Sequence, residues 1–318
     1  MAVYDIPLER RTIHGHFSRD LDPVVTVDPG DGVRFATLDA GWGLGPAPDL
    51  ERPTERARFE PRDPDLDNGH PLVGPIEVRG ARAGGTLTVT IDELRVGAYG
   101  FTGAGGWSSA LNERLGVTTG EGHALLWRID ADSNLAQDQN GRCVELRPFL
   151  GVLGMPPPGP GIYPTGPPRV WGGNLDCTEL VVGTTLYLPI PVDGALFSAG
   201  DGHARQGDGE VSGMAIEAPF ERVRLTFGLL EDFPVSAPVA ETPEAWIAFG
   251  LDEDLDEAAA AAIDAMLNLM GRELSVERKD ALALASVAVD LRVTQLVNGV
   301  LGVHAVLRRD TIRSAQAE

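Results

Sequence analysis

Short runs of alternating apolar and polar residues dominate the first hundred positions. Pro23-Val-Val-Thr-Val-Asp28 alternates and stops at the turn cluster Pro29-Gly-Asp-Gly32, after which Val33-Arg-Phe-Ala-Thr-Leu38 alternates again; the spacing predicts a hairpin. Ile76-Glu-Val-Arg79 and Thr86-Leu-Thr-Val-Thr-Ile-Asp92 flank a Gly-rich turn at 80–85 and predict a second strand pair. Residues 43–70 carry Pro, Asp and Arg without any period, a long loop of the kind that covers a site. Residues 97–122 are Gly-rich and read as irregular, 124–129 and 142–150 as strands. The Pro-rich stretch 155–168 can be neither helix nor central strand, and reads as a linker or as a surface loop lining a cleft. Segments 179–190 and 219–230 read as buried strands.

The pattern then changes. Residues 252–270 are Ala-rich, with Ile263, Met266, Leu267 and Met270 on one helical face; Gly271 reads as the C-cap and Ser275 as the N-cap of a second helix running to Asp290. His304-Ala-Val-Leu307 predicts a closing strand. No internal repeat is visible. Many strands followed by two late helices predict a mainly β or α+β fold rather than βαβ winding. The organisation expected is a single unit over 1–318, with a β-rich part at 1–150 and a part at 170–318 carrying the chemistry and the C-terminal helices.

Composition narrows the function. A formal charge of −21 disfavours nucleic acid and anionic membranes as partners. Of 26 basic residues only Lys279 is lysine, and it sits in Glu277-Arg-Lys-Asp280, a poor setting for a desolvated amine. Schiff-base and lysine-dependent amidase mechanisms are thereby nearly excluded. Two cysteines make neither a disulfide framework nor a Cys-rich zinc site. With no signal-peptide-like start and no run of 18 apolar residues, the expected location is cytoplasmic.

Polar residues bunch in Gly200-Asp-Gly-His-Ala-Arg-Gln-Gly-Asp-Gly-Glu210 and the following Val211-Ser-Gly-Met-Ala-Ile-Glu217. Asp201 and His203 are two apart, so an extended chain projects both from one face. A carboxylate beside an imidazole suits a divalent metal, zinc in particular. The competing reading is a solvated Asp/Gly loop, and a third is a structural calcium site in a non-catalytic binding protein. His14 and His16 are also two apart, Asp39 ends a strand, and Asn174-Leu-Asp176 precedes one; each is a weaker candidate. His70 reads as a loop residue, His123 and His304 as core histidines, and Cys177 as a buried thiol. There is no Gly-x-Ser-x-Gly elbow to anchor a serine hydrolase.

At Gly172-Gly-Asn-Leu-Asp176, at Leu180-Val-Val-Gly-Thr-Thr-Leu-Tyr-Leu-Pro189 and at residues 194–217, the sequence resembles the acetamidase/formamidase family. Further pieces are Pro23–Asp28 with Gly30-Asp31, Phe35–Ala40, Gly74-Pro-Ile76 and residues 288–298. Val73 and Cys177 depart from the family's usual residues, and the loops 43–70 and 154–168 look individual. The resemblance implies a mainly β fold with a sandwich- or jelly-roll-like core, assembled as a homo-oligomer (dimer or tetramer). It also implies an amidohydrolase releasing ammonia from short amides such as formamide or acetamide, with zinc or calcium as cofactor. On that reading Asp201 and His203 are metal ligands, with His16, Asp39 and Asp176 as further candidates. Glu217 or Glu210 is the general base, and Gln206 or Asn174 binds the substrate amide. Hydrolysis of another small C–N substrate remains open.

Overall fold

The computed structural model describes residues 1–48 and 56–313. They form a mainly β fold with three α-helices among the described residues, two of them near the C-terminus. A nine-stranded sheet runs in the order Val3–Asp5, Gly32–Phe35, Phe220–Leu230, Thr86–Val96, Thr185–Pro189, Val239–Glu241, Ala245–Asp252, Leu301–Arg308, Val289–Gln295. A six-stranded sheet runs Gly172–Asn174, Phe149–Gly154, Phe197–His203, Leu72–Val78, Ile13–His14, with Val25–Val27 also paired to Leu72–Val78. A smaller four-stranded sheet orders Cys143–Glu145, Leu135–Asp138, His123–Asp130 and Tyr99–Ala104.

The large core joins the first two sheets. Inward residues of Thr86–Val96 (Leu87, Val89, Ile91) and of Thr185–Pro189 (Leu186, Leu188) share it with Ile76 and Phe197. Phe197 meets Phe227 edge to face at 5.4 Å, joining the two strands that flank the Gly-rich motif. Every side chain of Phe197–His203 is buried, which removes the solvated-loop reading for Asp201 and His203.

Neither predicted hairpin forms. Val25–Val27 pairs in parallel with Leu72–Val78, whereas Gly32–Phe35 joins the nine-stranded sheet. Leu72–Val78 and Thr86–Val96 likewise lie in different sheets. In both cases the turn cluster carries the chain from one sheet to another. The stretch read as irregular contains the strand Tyr99–Ala104 and the short helix Ala110–Leu115.

The long helix Leu255–Glu273 starts where the Asp254 side chain accepts from the Asp256 and Glu257 N–H groups. Its face of Ala258, Ala262, Met266 and Met270 packs on the sheet. Ala258 and Ala262 lie against Gly250, where a Cβ would meet the Ala258 carbonyl oxygen at 1.9 Å. Gly271 is inside this helix and Leu274 caps it, correcting the expected end. Ser275 takes a left-handed backbone and Glu277 caps the next helix, Arg278–Ala288, which stops where Val289 enters a strand. No described helix is long and apolar enough to cross a membrane.

Candidate active site

Antiparallel pairing builds the site. Phe149–Gly154 lies between Gly172–Asn174 and Phe197–His203, with Val152 opposite both Asn174 and Gly200 and Phe149 opposite His203. The flanking register sets Gly151 opposite Asp201, and this residue must be glycine. A Cβ there would come within 2.5 Å of Asp201 Oδ2, 2.7 Å of Asp176 Oδ1 and 3.0 Å of His203 Cε1. Glu217 bridges His203 on one side and Phe101, of the four-stranded sheet, on the other. The site thus lies where the six-stranded and four-stranded sheets meet.

One imidazole stands among four buried carboxyl groups. His203 Nε2 is 3.4 Å from Asp201 Oδ2 and 3.3 Å from Glu217 Oε2, while Nδ1 faces Asp176 Oδ1 at 4.0 Å. The Phe149 ring meets the imidazole edge to face at 5.0 Å. Ligand atoms of Asp201, His203 and Glu217 lie within 4.8 Å of one another, as do those of Asp176, His203 and Glu210. Asp176, Asp201 and Glu210 all hold left-handed backbones (φ 48°, 60° and 44°), a strain that polar side chains accept at functional positions. Asn298 Nδ2 donates to Asp176 Oδ2 at 2.8 Å, and the Ala215 N–H donates to Glu217 Oε1 at 2.8 Å.

Burial drives the electrostatics, and neighbouring charges set each outcome. Burial, reinforced by the Asp201 and Glu217 carboxylates, pushes the Asp176 carboxyl up to about 8. Burial and Asp176 raise Glu210 well above the ordinary carboxylate range. Burial also disfavours an ionised Asp201, but His70 and His203 outweigh it and hold that carboxyl below the usual range. For His203, burial is overcome by Glu217 and Asp201, which raise the imidazole well above its ordinary value.

A cavity of about 620 Å³ opens over this cluster. Asn174, Asp201, His203, Glu210, Glu217 and Asn298 line its polar side, and Phe101, Trp107 and Met214 contribute apolar surface.

The residues singled out in the sequence divide into two groups. Asn174, Asp176, Asp201, His203, Glu210 and Glu217 come together. Gln206 lies behind them, donating from Nε2 to the Asp176 backbone carbonyl at 2.8 Å. Asp39 stands apart: it is fully buried against Arg56 (2.9 and 3.0 Å) and accepts from the Gly41 and Gly43 N–H groups and the Tyr99 hydroxyl. His16 is buried with Nδ1 on the Leu66 carbonyl at 3.0 Å, and His14 contacts Ser198 Oγ. Two histidines depart from their sequence readings. His123 is exposed at the cavity rather than in the core. His70 lines the cavity with Nδ1 bonded to Thr165 Oγ1 at 2.9 Å and Nε2 4.0 Å from Asp201 Oδ2. Cys177 is a buried thiol, as read. The 155–168 segment packs against the N-terminal region through Phe17 and Tyr163. Of the loop at 43–70, residues 49–55 lie outside the described residues, while Arg56, Arg58 and His70 reach the cavity.

Known proteins resemble this chain throughout its length. An acetamidase structure from Bacillus halodurans superposes with a TM-score of 0.81 at 29% identity, covering 95% of this chain and 97% of that one. An acetamidase/formamidase structure from Thermoanaerobacter tengcongensis shares the fold with a TM-score of 0.84 at 24% identity, covering 97% and 96%. The formamidase of Methylophilus methylotrophus is 27% identical over 63% of this chain. The chain spans about 60% of the length of the curated formamidases it matches first. The profile of the Acetamidase/Formamidase family matches residues 5–159 and 163–306, nearly all of the chain, which therefore belongs to that family.

Proposed function

We propose that this protein hydrolyses short carboxamides, formamide and acetamide among them, to carboxylate and ammonia, with a divalent cation held by Asp201, His203 and Glu217. One observation carries the reading. Asn174 Oδ1, Asp176 Oδ1, Asp201 Oδ1, His203 Nδ1, Gln206 Oε1 and Glu217 Oε2 are buried without a hydrogen-bond partner among the described residues. Buried polar groups are seldom left so, and four carboxyl groups around one imidazole form an oxygen-rich donor set that a cation satisfies. The mixed O and N donor set suits zinc better than calcium, and the missing side chain at Gly151 leaves Asp201, Asp176 and His203 free to approach one another. His70, its far nitrogen fixed by Thr165, is a further donor within reach of the same site.

When bound, such a cation supplies Lewis acidity, lowering the pKa of a water towards about 7 and polarising an amide carbonyl. The protein's own groups do the rest. Asn174 Oδ1 lines the cavity unpartnered and accepts from the substrate N–H. Glu210, facing the cavity beside the cluster, is the carboxyl placed to take a proton from that water. As the water oxygen bonds to the carbonyl carbon, that proton passes through Glu210 to nitrogen, the C–N bond breaks and ammonia leaves.

The test is removal of metal with dipicolinate, quantification of residual metal by mass spectrometry, and ammonia assay with formamide and acetamide. Ammonia release should fall at least a hundredfold and return with zinc, and His203→Ala should lose both metal and activity. Full activity in metal-free protein would sink the metal assignment. Cation binding without ammonia from any amide would instead favour a non-catalytic cation-binding protein.

A further inference from the structure

The cavity is far larger than the smallest amides require. Formamide occupies roughly 60 Å³, about two waters' worth, against about 620 Å³ available. A volume in the range of roughly 300–1,000 Å³ is what drug-sized ligands fill. Its lining is also divided by chemistry. Beside the carboxyl cluster and Asn174, the lining includes Phe101, Trp107, Met214 and Ala124, which offer apolar surface to the cavity.

Three details mark this wall as a binding surface. Trp107 remains 38% exposed, and a large aromatic beside a reactive cluster is a contact awaiting a partner. Met214 rests on Gly103, where a Cβ would meet its sulfur at 2.8 Å, and its flexible thioether adapts to groups of different shape. Phe101 is held in place by the Arg56 guanidinium 4.3 Å from its ring centre, itself fixed by the buried Asp39.

We infer that the acyl side of this cavity takes uncharged chains or rings of four or more carbons, packed on Phe101, Trp107 and Met214 while the carboxamide meets Asn174 and the carboxyl cluster. This deepens the amidase reading and rests on it. Chemistry is unchanged: water adds, the C–N bond breaks and ammonia leaves, whatever the length of the chain. What changes is how much binding is gained by burying methylenes, at about 0.8 kcal/mol each.

The experiment compares kcat/KM for formamide, acetamide, butyramide, hexanamide and phenylacetamide on the metal-loaded protein. We expect a rise of about tenfold for every two methylenes from acetamide to hexanamide, expressed mainly in KM. In Trp107→Ala the hexanamide-to-acetamide ratio should fall about tenfold. Because the Trp107 side chain is exposed, thermal unfolding should stay at the wild-type temperature. Turnover of formamide and acetamide with a flat or declining series overturns the inference and leaves the amidase reading standing. A rising series that Trp107→Ala leaves unchanged places the acyl chain elsewhere and overturns it too. No ammonia from any of the five amides overturns both.

Discussion

Asn298 and Asp176 are 122 residues apart in sequence and joined by one hydrogen bond, Nδ2 to Oδ2, of 2.8 Å. Asn298 sits on the turn between Val289–Gln295 and Leu301–Arg308, which Gln295 organises by accepting from the Val297 and Asn298 N–H groups and donating to the Val300 carbonyl. The same segment bonds to the Gly-rich motif, with Gly209 N–H on the Thr294 carbonyl and Leu296 N–H on the Gly209 carbonyl. A neutral donor therefore fixes the carboxyl that stands behind Glu210.

Asn298→Ala should lower kcat about three- to tenfold, the effect of losing a neutral hydrogen bond worth about 0.5–1.5 kcal/mol. Its unfolding temperature should change little, because Asn298 is only partly buried. Ammonia-release kinetics beside a thermal melt decide the matter, and a kcat within twofold of wild type would remove Asn298 from the positioning of Asp176.

Gly151→Ala should be more damaging than its single methyl suggests. The added carbon would press on Asp201, Asp176 and His203 together at 2.5–3.0 Å. We expect a folded protein by circular dichroism whose bound zinc falls well below wild type and whose activity drops by at least a hundredfold. Wild-type zinc content in the folded variant would show that the cluster can move aside.

The stability of metal-free protein should be nearly level below about pH 6.5 and fall above it. On the alkaline side, Asp176 holds its proton to about 8 in the folded chain, against an ordinary value of 3.8. A raised folded pKa stabilises at low pH, and that contribution is lost as pH rises through about 8. His203 is raised too, so its contribution fades in the same direction. On the acid side, burial lowers His14 and His304 to about 4, which favours unfolding as pH falls from about 6.5 to 4, while the raised Asp176 and Glu210 favour folding over the same range, so stability there should be nearly level. Melting temperatures from pH 4 to 9, with and without zinc, check both limbs. Zinc should raise the melting temperature most at the alkaline end, and an alkaline limb as flat without metal as with it would contradict the cluster's electrostatics.

Some of this was legible in the sequence for physical reasons that can be named. Phe220–Leu230 alternates and is a strand; the Ala-rich run is a helix by propensity, and its small residues let it lie on Gly250. Strand partners were not legible. Alternation reports which face is buried, not which strand lies alongside, so it cannot tell a hairpin or strand pair from a chain that crosses between sheets at the turn cluster. The Asp201–His203 spacing carried the site, and the pieces around Asn174 and Glu217 fell beside it through sheet pairing. Asp39 looked the same as a ligand in sequence, since a carboxylate before a turn serves an arginine equally well. His70 gave no local signal: its orientation depends on Thr165, 95 residues further on.

The placement of Asn298 also orders events in time. Ribosomal synthesis delivers Asp201, His203 and Glu217 long before the strand Leu301–Arg308 exists, so for a period the four acidic side chains lack the contact that restrains one of them. The restraint on Asp176 therefore waits for the turn between Val289–Gln295 and Leu301–Arg308. A chain stopped before residue 289 would present Asp176 without the amide that restrains it, and would lack two strands of the nine-stranded sheet.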